Sequence, residues 1–262
     1  MPTGYPFHLR DEQDTQSFAD PHTILFRRKF NLYTSIPMEF SKEVPTSFPG
    51  IRVAEGDIRS VHITRERPGL EALKQEIIRE IRSRYSLEQV KDEPLFRAYR
   101  DFFWGVGVDP TKTRPASEAL VRRILSNGRL PAINTAVDAY NLASARSGIP
   151  IAAFDADTLT GELTMRFAEE GELFFGIGME KPVLLQEKQV IVTDTENIIA
   201  IYPYRDSDVT KVTMDTKNIR ILTCGVPRVE RGKVVEAYGL CAGYLKEYAE
   251  GVPSGPELFP GD

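Results

Sequence analysis

At GIPIAAFD, residues 148–155, the hydrophobic period of this chain changes from that of a helix to that of a strand. Upstream, Leu70, Leu73, Ile77, Ile81 and Tyr85 recur at helical spacing, and Leu95, Tyr99, Phe102, Phe103 and Val106 do so again after Pro94, a favoured first-turn proline. Pro115 and Ser117 open a third helix through ASEALVRRIL that stops at Asn127-Gly128, and a fourth runs from an N-cap at Asn134 to Gly148. Downstream, Leu163, Met165 and Phe167 alternate with Thr164 and Arg166, and ELFFGIG, QVIVTD, IIAIYPY and NIRILTCGV are further strand candidates. A last helix carries Val234, Tyr238, Cys241, Leu245 and Tyr248 on one face, with Gly239 and Gly243 expected to allow close approach to a sheet.

Helices gathered in the first half and strands in the second point away from βαβ repeats. They predict an α+β layered fold, with an N-terminal helical part packed on a largely antiparallel sheet or sandwich and closed by the C-terminal helix. Ahead of the helices, FPGIRVAEGDIRSVHI reads as a short hairpin. Residues 1–40 are expected to form an arm, residues 41–250 a single domain, and the Pro- and Gly-rich residues 251–262 a flexible tail.

The chain has 262 residues, 41% of them hydrophobic, enough to bury a substantial core. It shows no apolar run near the roughly 18 residues of a membrane span, and its start, MPTGYPFHLRDEQD, lacks the regions of a signal peptide. A cytoplasmic protein without a membrane partner is the expectation. Cys224 and Cys241 sit in apolar surroundings with no metal or redox spacing, so buried thiols are expected. The histidines are His8, His22 and His62, so chemistry beyond residue 62 must work without imidazole, and no metal or other cofactor is expected there.

Asn134, Asp138 and Asn141 share one face of the fourth helix. Two readings apply: the three satisfy neighbouring backbone, or the face meets a ligand. A second polar feature is YPYRDSD, where Tyr202, Tyr204, Arg205, Asp206 and Asp208 cluster at a strand end. It is either a surface turn or a site in which Arg205 holds a phosphate or carbonyl oxygen and Asp206 orients a water.

Asn134, Asp138, Asn141, Gly148, Pro150, Phe154 and Asp155 match without a gap the N…VD…N…G-x-P…AFD pattern of the editing domain in the phenylalanyl-tRNA synthetase β subunit, which the chain resembles over about residues 105–245. Gly161, Arg166, Ala168, Gly171 and Glu172 continue the match, and Asp194 falls where the next strand of that domain ends. The resemblance implies hydrolysis of the ester of a wrongly charged amino acid, in a pocket between helix and sheet. It sets Asn141 and Pro150 on the amino-acid side. This chain departs from the family at three points: Ala152 replaces a histidine, Tyr140 replaces a threonine, and Leu222 or Thr223 stands where a glutamate reads the tyrosine hydroxyl. The family's small Gly-Gly loop is replaced by YPYRDSDVTK.

The expected function is therefore a trans-acting editing hydrolase, with Asn141, Arg205 and Asp206 as catalytic candidates. Tyr140, Pro150, Ala152, Arg166, Tyr202, Tyr204 and Lys211 are the substrate-binding candidates. Its partner would be the aminoacylated 3′ end of tRNA, not DNA, and the resemblance implies no particular oligomeric state. The net charge is −5, but residues 59–131 carry 15 Lys and Arg against 10 Asp and Glu, and Arg79, Arg82, Arg100, Arg122 and Arg123 are the candidates for contacting the tRNA body. The alternatives are a non-catalytic module that binds tRNA or an amino acid, and a hydrolase of another small acyl ester.

Overall fold

The computed structural model describes residues 38–261. In chain order these begin with β1 (Glu39–Phe40), α1 (Glu43–Ser47) and β2 (Arg52–Arg59). Four helices follow: α2 (Leu70–Arg84), α3 (Pro94–Gly105), α4 (Ala116–Asn127) and α5 (Thr135–Ser147). Next come β3 (Ile151–Asp155), β4 (Thr164–Phe167), β5 (Leu173–Phe174), β6 (Val183–Leu184), β7 (Val190–Thr193), β8 (Ile198–Ile201), β9 (Arg205–Asp206) and β10 (Ile219–Gly225). The chain closes with α6 (Arg231–Ala249), β11 (Val252–Pro253) and β12 (Glu257–Phe259). This is an α+β fold, and the change of period at Gly148 is the boundary between its helical and its strand-rich parts.

Two five-stranded sheets carry the architecture. One has the order β1-β4-β7-β8-β9, and the other β11-β2-β10-β3 with β12 also on β2. Every pairing is antiparallel except β1 with β4. The sheets meet where Ala153 N of β3 donates to Asp206 Oδ2 of β9 at 3.3 Å, and just beyond β9 Asp155 N donates to Thr210 O at 2.8 Å and Phe154 bridges Lys211. Strand β10 is the hub, since Leu222 faces Glu55 of β2 on one side and Ala152 of β3 on the other. Its alternation sends Thr223 to α6, where Oγ1 donates to Val234 O at 2.9 Å, and turns Leu222 and Cys224 to the opposite face.

Local chemistry explains the helix ends. Asn134 is extended and its Oδ1 accepts from Val137 N at 2.9 Å, satisfying an orphan donor of α5. Gly148 ends α5 at φ +71°, and a side chain there would press within 2.6 Å of Leu95, so both the backbone and the packing of α3 require glycine.

Three expectations are corrected. The FPGIRVAEGDIRSVHI segment holds one strand, β2, and no hairpin, because alternation around Gly56 marks a close approach and no turn. A Cβ on Gly56 would lie 2.2 Å from the Tyr238 hydroxyl of α6. Gly56→Ala is therefore expected to cost about 1–3 kcal/mol through overpacking, measurable by denaturant unfolding. The glycines expected to admit the sheet, Gly239 and Gly243, instead face open space. Residues 251–261 do not extend α6, but they are no free tail: β11 and β12 pair with β2, and Ser254 exchanges backbone and hydroxyl hydrogen bonds with Asp57. Of the expected N-terminal arm, residues 1–37 lie outside the described residues, while Met38 is buried and Glu39–Phe40 form β1.

Candidate functional site

A cavity of about 200 Å³ opens where α5, β3 and β10 meet the second sheet. An engineered protein cavity of about 150 Å³ takes benzene, so this one accepts a group of side-chain size. From α5 come Tyr140 and Asn141, and from the approach to β3 come Pro150, Ile151 and Ala152. Strand β10 adds Leu222 and Cys224, and β7 and β8 add Val192, Ala200 and Ile201. The turn 202–206 closes the ring with Tyr202, Pro203, Tyr204, Arg205 and Asp206. Between the two positions that the resemblance left open, it is Leu222 that enters the cavity, because Thr223 points to α6.

The polar line on α5 divides into two roles. Asn134 caps the helix, and Asp138 accepts from Ile133 N at 2.9 Å and from the buried Lys74 ammonium at 3.0 Å. Asn141, half-buried on the cavity wall, has no side-chain hydrogen bond among the described residues. Its amide is the member of the line left to meet a ligand or water.

Asp206 supplies the charge. Its Oδ2 accepts from Ala153 N at 3.3 Å, and Oδ1 has no partner among the described residues. Burial pushes its carboxyl up to about 7, against the weaker opposite pull of the Ala153 hydrogen bond and the Arg205 charge. Burial, followed by the negative field of Asp206, raises the Tyr140 phenol and the Cys224 thiol. Both therefore stay protonated at neutral pH, and Cys224 is no thiolate nucleophile. Arg205 is exposed at the mouth, where Nη1 donates to Ile177 O at 2.9 Å.

Other candidates have different posts. Tyr202 and Tyr204 line the cavity, but their hydroxyls are engaged: Tyr202 donates to Gly225 O at 2.8 Å, and Tyr204 accepts from Gln189 at 3.2 Å. Arg166 lies outside the lining and forms a bidentate pair with Glu172, at 2.6 and 2.9 Å. Lys211 is likewise outside, paired with Asp208 at 2.8 Å. Arg100 and Arg122 both clasp the fully buried Glu118, at 2.9 and 2.7 Å, whereas Arg79, Arg82 and Arg123 are exposed. Among the described residues no group of three or more His, Cys, Asp or Glu is arranged to hold a metal, and no helix is long and apolar enough to cross a membrane. Both cysteines are free and buried.

Sequence reasoning missed Ala116, Ile151, Ile177, Val192, Ala200, Ile201, Pro203 and Cys224 as lining residues. Cys224 was within reach, being two residues from Leu222 on the same strand face. Ile177 carries no local signal, because its position depends on how the 173–184 hairpin folds back to Arg205 and Asp206.

A family model described as B3/4 domain matches residues 98–249. The chain is 31% identical over 158 residues to the phenylalanine--tRNA ligase beta subunit of Synechococcus sp. (strain CC9605), an alignment covering 56% of this chain and 19% of that protein. It is 35% identical over 92 residues to the same subunit of Corynebacterium glutamicum, covering 35% of this chain and 10% of that one. The chain thus spans less than a fifth of either relative. A solved N-terminal fragment of the phenylalanyl-tRNA synthetase beta-subunit from Pyrococcus horikoshii is similar with a TM-score of 0.47 and 14% identity, covering 87% of this chain and 55% of that one. Since the B3/4 match takes in more than half of the 262 residues, the chain belongs to the B3/4 domain family.

Proposed function

We propose that this protein is a trans-acting editing hydrolase that cleaves the ester of mischarged aminoacyl-tRNA. The observation that carries the reading is the convergence of Asn141, Asp206 and Arg205 on one cavity of side-chain size. The names of its relatives, tRNA ligase subunits, supply the substrate class.

In this reading Oδ1 of Asp206 takes a proton from a water, whose oxygen attacks the ester carbonyl carbon. The electron pair of the C=O bond moves to oxygen, and the Asn141 amide and the Arg205 guanidinium stabilise that oxyanion. The tetrahedral species collapses, the bond to the ribose oxygen breaks, and the proton held by Asp206 goes to that oxygen. Free amino acid and free tRNA result. A carboxyl titrating near 7 is matched to this work, and an aminoacyl ester is reactive enough that positioning supplies much of the rest. Tyr140, Pro150, Ala152, Tyr202 and Tyr204 are walls that hold the aminoacyl group, and the exposed Arg79, Arg82 and Arg123 are contacts for the tRNA backbone. Such a substrate makes the protein cytoplasmic.

Asn141→Ala tests the reading. Loss of a positioned amide should slow single-turnover deacylation by ~10- to 100-fold, or about 1.4–2.8 kcal/mol. The melting temperature should stay within a degree or two, because among the described residues the side chain has no hydrogen-bond partner to strand. Unchanged turnover with a lowered melting temperature would make Asn141 a structural residue and remove it from the mechanism.

A further inference from the structure

We propose that the cavity selects aminoacyl groups with an apolar side chain, up to about the size of a phenyl ring, that carries no hydrogen-bonding tip. This deepens the editing reading and rests on the aminoacyl ester occupying this cavity.

The two sides of the cavity differ in chemistry. The polar groups that have no hydrogen-bond partner among the described residues, the Asn141 amide, the Tyr140 hydroxyl and Asp206 Oδ1, come from α5 and β9. The buried wall, from β7, β8 and β10, offers Val192, Ala200, Leu222 and Cys224, each no more than 4% exposed, with Asp206 beside Ala200 at its edge. Polar atoms near that wall are spent within the protein. Cys224 Sγ contacts Leu222 O at 3.7 Å, and the Tyr202 hydroxyl donates to Gly225 O at 2.8 Å.

An aminoacyl ester has one end that develops charge and one end that does not. With the ester against the polar groups, its side chain lies on the apolar wall. A hydroxyl, carboxylate or ammonium at the tip would leave water and find no partner there, whereas a methyl or phenyl gains contact. A stranded neutral tip corresponds to a discrimination of about 10- to 100-fold, and a charged tip to more. The volume of about 200 Å³ sets the upper size.

Single-turnover deacylation by the wild-type chain should be measured on tRNAs carrying Val, Ile, Leu, Met or Phe against Tyr, Ser, Asp or Lys. The apolar set should react at least ~10-fold faster than the polar set. In parallel, calorimetry should compare binding of non-hydrolysable 3′-amide analogues of leucyl-, phenylalanyl- and tyrosyl-adenosine, with the tyrosyl compound at least ~10-fold weaker than either of the others. Equal or preferred reaction and binding of polar side chains would overturn the selectivity. Absence of hydrolysis with every aminoacyl-tRNA, alongside the same order of analogue binding, would overturn the editing reading and leave the selectivity standing. Leu222→Gln supplies a donor and an acceptor on the apolar wall and should narrow the leucyl-to-tyrosyl ratio. A ratio unmoved in a folded Leu222→Gln protein would show that this wall does not touch the side chain.

Discussion

Asp206→Asn is expected to lower single-turnover deacylation by about 10²- to 10⁴-fold, the range for loss of a general base. The substitution keeps the acceptor that Ala153 N uses and removes only the ability to take a proton. In the proposed mechanism the base must be ionised, so the wild-type rate should climb with pH through a midpoint of about 7 and level off above it. That climb should vanish in Asp206→Asn. Stability moves the other way. The folded carboxyl is raised from 3.8 to about 7, so between those values the folded state holds a proton that the unfolded chain has released. Stability therefore falls as pH rises from about 4 to about 7 and pays its full penalty above. At pH 8 Asp206→Asn should melt higher than the wild type, and near pH 4 the two should converge. A variant both inactive and less stable at pH 8 would mean that Asp206 holds the fold together.

The second large effect concerns the arginines of α3 and α4. Glu118 is completely buried, and the side chains of Arg100 and Arg122 that clasp it are 13% and 19% exposed. Arg122→Glu would remove one guanidinium and set a second carboxylate against the first. A loss of about 3–5 kcal/mol in denaturant unfolding is expected. Arg123→Glu, one residue along the helix and exposed, should stay within about 0.5 kcal/mol of the wild type. It is accordingly the clean probe of the proposed tRNA surface, and it should flatten the dependence of tRNA affinity on salt. Equal stability of the two variants would deny the buried triad.

Helices were legible because their apolar residues repeat over many turns and their ends carry explicit chemistry, as at Pro94, Asn134 and Gly148. The β2 strand misread as a hairpin shows where that stops: period two is the same in one long strand and in two short ones, and Gly56 answers to a tyrosine 182 residues away in sequence. The tail joined the sheet for a similar reason, since pairing with β2 is a long-range contact that a Pro- and Gly-rich composition does not reveal.

The site was partly legible. Asn141, Pro150, Arg205 and Asp206 do meet in one cavity, but most of the matched motif turns out to be scaffold. Asn134 caps α5, Asp138 holds Lys74, Asp155 accepts from Thr216 at 2.6 Å, and Asp194 ties the turn before β8 through Glu196 and Asn197. Nothing local told Arg166, which has a carboxylate partner six residues on, from Arg205, whose partner among the described residues is a carbonyl. Partners decide that difference, and partners are set by the fold.

Hydrolysis of aminoacyl esters on tRNA is the activity proposed for this cavity. Its most direct test is multiple-turnover release of labelled amino acid from mischarged tRNA in excess over protein at pH 8, comparing wild type with Asp206→Asn. Repeated turnover well above the spontaneous rate is expected for the wild type, and release near the spontaneous rate for the variant. Release no faster than in buffer for every aminoacyl-tRNA, or equal acceleration by both proteins, would contradict it.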